Sequence, residues 1–150
     1  MINIEIVEPA PPQLDTDLLI RAAQETLRLT SAVIEADLTI LLAGDEQLQD
    51  YNRQFLGIDA PTDVLSFPSE VIDPETQTRY LGDIAISIPR AQSQASAGGH
   101  ALQAEVQLLV VHGVLHLLGY DHLTDPEKER MWALQAQILT HLGCLLKMPE

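Results

Sequence analysis

Residues 101–118, ALQAEVQLLVVHGVLHLL, constrain the fold more than any other stretch of this chain. The segment is apolar almost all round, through Leu102, Val106, Leu109, Val110, Val114 and Leu118. A helix with so little polar face must be surrounded by other elements, so the pattern predicts a helix at the centre of a domain. Its longest apolar run, VQLLVVHGVLHLLGY, is broken by two histidines and is too short to span a bilayer comfortably. The chain has 150 residues, enough to wrap that helix in one domain covering residues 1–150.

The wrapping elements show in the periodicity. Ile2, Ile4 and Ile6 alternate with polar residues, as in a half-buried strand. Residues 13–29 have helical spacing, with Asp15 or Thr16 as the N-cap. DLTILLA (37–43) reads as a second strand, and the helical stretch from Asp45 stops at Gly57. TDVLSFP (62–68) and GDIAISI (82–88) read as strands, separated by a loop or hairpin tip over 69–80. Pro89 starts a helix ending near Gly98-Gly99, and Thr124 caps a last helix over about 125–142. Strands and helices interleave without repeats, which predicts an α+β domain with a small mixed four-stranded sheet packed by helices around the central one.

That central helix carries chemistry. His112 and His116 are four apart, so they leave a helix on one face within reach of a single ion. Gly119 can take a left-handed turn without steric cost, which returns His122 toward the pair. Three imidazoles and an open fourth position are the ligand set of a catalytic rather than a structural zinc. Burying three imidazoles on such a helix without a common partner costs roughly 1–3 kcal/mol for each unsatisfied group. One zinc ion per chain is the expected cofactor, although nickel, copper or iron also suit such ligands. Zinc lowers the pKa of a water it binds to about 7, so the expected nucleophile comes from the metal rather than from a side chain. His100 and His141 lack spaced partners and read as ordinary satisfied residues.

One absence narrows the reaction class. Helical zinc peptidases carry a glutamate directly after the first histidine as general base, and this chain has Gly113 there. Peptide hydrolysis therefore lacks its proton shuttle, whereas phosphodiester cleavage depends less on one. Twenty-two acidic against eight basic residues give a net charge of −14, which resists casual contact with nucleic acid or anionic membrane. An RNA substrate would need a local cation, a metal or a partner that delivers it. Cys144 is the lone cysteine and the N-terminus has no basic signal region, so a reducing cytoplasm is expected and a membrane is not.

HGVLHLLGYDH (112–122), PTDVLSFP (61–68) and LGDIAIS (81–87) together resemble the YbeY family of bacterial endoribonucleases and rRNA maturation factors. The resemblance runs from about residue 37 to 125. It implies a four-stranded mixed sheet with the zinc-binding helix near its centre, and His112, His116 and His122 as the metal ligands. It also implies cleavage of single-stranded rRNA in maturation of the 16S 3′ end and in ribosome quality control; the net charge of −14 adds the expectation that a ribosomal protein or an assembly GTPase brings the substrate close. Many relatives have an arginine just before the glycine that precedes the TDVLSF strand; here that position is Leu56, ahead of Gly57. Arg53, one helical turn earlier, and Arg90, at a helix start, are the substrate-contact candidates. Glu105, seven residues before His112, is a candidate second partner for an imidazole, while Trp132 and Tyr120 read as packing. Two other readings compete: a zinc-bearing assembly factor without catalysis, and a metzincin-like peptidase with another base.

Overall fold

The computed structural model describes residues 1–30, 36–69 and 71–144. Four strands, β1 (Ile2–Ile6), β2 (Ala36–Ala43), β3 (Val64–Pro68) and β4 (Arg79–Ser87), form one sheet in the order β1-β2-β4-β3. β1 and β4 run parallel to β2, and β3 runs antiparallel to β4, so the sheet is mixed as expected. The segment between β3 and β4 is a hairpin end held by an Ile72–Arg79 bridge; its residue 70 lies outside the described residues.

Among the described residues, five α-helices complete the fold: α1 (Thr16–Leu29), α2 (Asp45–Tyr51), α3 (Ile88–Gly98), α4 (Leu102–Leu117) and α5 (Asp125–His141). The caps follow the residue chemistry. Asp15 accepts from the Asp17 and Leu18 amides, Ser87 from Arg90 and Thr124 from Glu127. The helical stretch from Asp45 does not run evenly to Gly57. After Tyr51 it widens into one π turn, Asn52–Leu56, where the buried Asn52 amide donates to the Ala60 carbonyl at 2.9 Å. Gly57 then ends it in the left-handed region, at φ 71°.

α4 is the centre, buried along almost its whole length. Leu38, Ile40, Leu42, Ile84 and Ile86 point from the sheet into the core that α1, α4 and α5 share. The alternate residues Ala43, Leu65 and Ala85 face the other way, onto Leu48 and Tyr51 of α2. Strand alternation thus sorts the molecule into a thick helical side and a thin side covered by α2 and its π turn.

Two glycines let α4 sit where it does. A Cβ on Gly113 would lie 2.7 Å from Ile84 Cγ2, so the helix touches β4 there with no room for any side chain. Gly119 has φ 100°, a conformation other residues rarely adopt, and it turns the chain out of α4 toward His122.

Candidate metal centre

α4 places His112 and His116 one turn apart, with their Nε2 atoms 3.0 Å apart. The turn at Gly119 returns His122, its ring centroid 5.6 Å from that of His112 and 5.2 Å from that of His116. One nitrogen from each ring falls within 4.8 Å of the others. Nitrogens held tetrahedrally at the usual zinc distance of about 2.0–2.1 Å are about 3.3 Å apart, so a small adjustment of the rings, with the His112–His116 pair opening slightly, lets the cluster hold one ion.

The surroundings keep the donors in the right state. Burial, reinforced by the neighbouring His116, pushes the His112 imidazole down to about 4. Burial and His122 lower His116 as well. Both rings are therefore neutral at pH 7 and offer lone pairs rather than protons, as a metal requires. His112 Nδ1 donates to Gln135 Oε1 at 2.5 Å, which fixes the tautomer and leaves Nε2 free for the ion.

Gln135 is the residue that reading the sequence missed. It is fully buried on α5 in a stripe with Met131, Ile138 and Leu139. A glutamine inside an apolar i, i+4, i+7 stripe was the available signal, since a buried amide needs a partner.

A cavity of about 290 Å³ opens beside His112, with Asp63, Gln94, Glu105 and Gln135 in its wall. Asp63 Oδ1 accepts from the Val64 amide at 2.8 Å, which holds the carboxylate at the start of β3. Two residues beyond Val64, the Ser66 hydroxyl donates to the Gly113 carbonyl at 3.1 Å, tying β3 to α4 at the site. Glu105 reaches the cavity but not the cluster: its buried carboxylate lies 2.6 Å from His100 Nε2. The acid expected to support a metal ligand serves a different histidine, brought within reach by the turn at Gly98-Gly99.

The two arginines stand apart from the cluster. Arg90 binds Asp45, Nε to Oδ1 at 3.2 Å. The Ser87 hydroxyl and then Arg90 hold the Asp45 carboxyl below its ordinary range. Arg53 lies in the π turn, on the sheet face opposite α4, and pairs with Asp50 at 3.0 Å. Trp132 of α5 is half-buried with its ring against those of His112 and His122, and Tyr120 packs on the main core.

Residues 9–143 match the family model described as Endoribonuclease YbeY. The chain belongs to the YbeY family. A relative named Endoribonuclease YbeY from Roseiflexus sp. (strain RS-1) is 42% identical over 95% of this chain and 92% of its own. Another of that name, from Chloroflexus aurantiacus, is 45% identical over 86% of this chain and 88% of its own. The solution structure of a Thermotoga maritima protein superposes with a TM-score of 0.62 at 25% identity, covering 95% of this chain and 89% of that one. The YbeY match over residues 9–143 spans β2, β3, β4, the five helices and all three histidines, so the cluster sits within the shared fold.

Proposed function

We propose that this chain is a zinc-dependent endoribonuclease that cuts single-stranded RNA, acting on the 3′ end of 16S rRNA in ribosome maturation and quality control. The observation that carries the proposal is the convergence of three histidine nitrogens within 4.8 Å, in a chain whose relatives are named endoribonucleases. His112, His116 and His122 hold the ion, and Gln135 orients His112. Bound there, zinc supplies Lewis acidity and activates the attacking oxygen. The contact of Gly113 with Ile84 leaves no space for the glutamate that peptide hydrolysis uses, which favours phosphodiester cleavage over peptidase chemistry.

Arg90 is one turn from Gln94 in the cavity wall, so it contacts RNA once phosphate replaces Asp45. Arg53 contacts only a strand that passes round the β3 edge. At −14 the protein gains little from long-range attraction to RNA, so a ribosomal protein or an assembly GTPase delivers the substrate in the cytoplasm. Among the described residues no helix is long and apolar enough to cross a membrane.

The test pairs metal content with cleavage of single-stranded RNA carrying the 16S 3′ end, for wild type and His116→Ala. One zinc per wild-type chain, with cleavage lost in a folded mutant, supports the proposal. One zinc with equal or no cleavage in both proteins leaves a zinc-bearing assembly factor as the better reading. No bound metal in wild type refutes the centre itself.

A further inference from the structure

We propose that Lys128, held over the Trp132 ring, is the cation that binds an RNA phosphate beside the three histidines. The inference rests on the RNA-cleaving reading and adds a residue that neither the motifs nor the paired arginines supply. Lys128, Trp132 and Gln135 are spaced i, i+4, i+7 on α5, so they share one face of the helix. That face is turned to the cluster. Gln135 Oε1 lies 2.5 Å from His112 Nδ1, and the Trp132 ring centroid is 5.8 Å from that of His112 and 5.4 Å from that of His122. Lys128 Nζ stands 5.7 Å from the centre of the Trp132 ring. The stripe thus runs from a histidine's hydrogen-bond partner, through a ring touching two of the histidines, to an ammonium group.

The charge distribution gives this ammonium its importance. Arg28, Arg53 and Arg90 are committed to Glu25, Asp50 and Asp45. Lys128 forms no ion pair among the described residues. Its neighbours Glu127 and Glu129 are each one residue away, and so point about 100° to either side of it on the helix. A carboxylate partner would occupy the ammonium's donors. An indole face attracts the charge and leaves the N–H groups free to donate. A cation steered toward a metal site with its donors unspent suits a phosphate oxygen, for which lysine acts as a point charge. Arg130 lies about 200° round the helix from Lys128 and lines a different cavity, with Tyr120 and Asp121, which makes it a suitable control.

The experiment measures steady-state cleavage of a short single-stranded RNA by zinc-loaded protein across a salt series. It compares wild type, Lys128→Gln, Lys128→Arg and Arg130→Gln, with zinc content checked in each. Lys128→Gln is expected to raise KM about 3- to 10-fold with kcat nearly unchanged. It should also flatten the dependence of log KM on log salt by about 0.7, the share of one contact to a single strand. Lys128→Arg should keep both values near wild type, as should Arg130→Gln. A Lys128→Gln protein that cleaves with wild-type KM and salt slope overturns this inference and leaves the ribonuclease reading standing. A zinc-loaded wild type that neither binds nor cleaves RNA overturns both.

Discussion

Gly113→Ala tests the packing that separates this site from a peptidase, and the structure sets both sides of its balance. Position 113 is inside α4, where alanine is favoured over glycine by about 1 kcal/mol. Against that, the new Cβ would meet Ile84 Cγ2 at 2.7 Å, Cδ1 at 3.1 Å and Cγ1 at 3.2 Å. Ile84 is fully buried in a central strand between β2 and β3, so neither partner has room to yield. Overpacking of this kind costs roughly 1–3 kcal/mol, which leaves Gly113→Ala destabilised by up to about 2 kcal/mol. In an Ile84→Ala background the clash is gone and the added methyl fills part of the hole. There the same substitution should stabilise by about 1 kcal/mol or more. Urea unfolding of the four zinc-free proteins, followed by circular dichroism, measures the cycle. If Gly113→Ala stabilises both backgrounds equally, the helix does not need its glycine against β4, and the exclusion of a glutamate base at that position fails.

Three further outcomes follow from the same contacts. His112 has a folded-state pKa of about 4 against an ordinary value of 6.5, so the unfolded chain binds more protons between those values. Zinc-free protein should then lose stability as pH falls from about 6.5 to 4, by on the order of 3 kcal/mol from this residue alone; a flat stability profile over that window in urea titrations would contradict the burial argument. Gln135→Leu removes the acceptor that fixes His112, and should weaken zinc about 10- to 100-fold in chelator competition while Gln135→Glu retains it. Glu105→Leu removes the hydrogen-bond partner of His100 and should cost about 1–3 kcal/mol in unfolding experiments, with zinc content unchanged because the pair does not touch the cluster.

What could be read in advance was local. The histidine cluster was legible because i, i+4 spacing and a glycine turn are geometric statements in themselves, and the caps at Asp15 and Thr124 were legible because they act within three residues. The strands showed in their alternation, but alternation names no neighbour. That β2 pairs with β4 across α2 and β3, and that β3 lies at the edge, follow from how α4 fills one face of the sheet. Two of the misses were non-local pairings. Gln135 meets His112 across 23 positions, and Arg90 meets Asp45 across 45. Glu105 was assigned a plausible kind of partner, an imidazole, but the turn before α4 offers His100 first. Gly113 was noticed as a missing base, yet the reason for the glycine is Ile84, far away in sequence.

The acidity of the chain also acquires a direction at the site. The cavity beside His112 has two carboxylates in its wall, Glu105 already bonded to His100 and Asp63 facing no cation among the described residues, so the Asp63 side disfavours phosphate. The α5 side has Lys128 over Trp132. An ion held by the three histidines therefore sits between a wall that rejects anions and a wall that attracts them. An RNA strand bound as proposed would lay its backbone along α5, reaching Arg90 only beyond the cavity where phosphate displaces Asp45, and would turn its uncharged bases toward Asp63, whose oxygens can accept from base amino groups. The same acidic charge that suppresses indiscriminate binding over the rest of the surface thus helps choose the orientation of the substrate where it does bind.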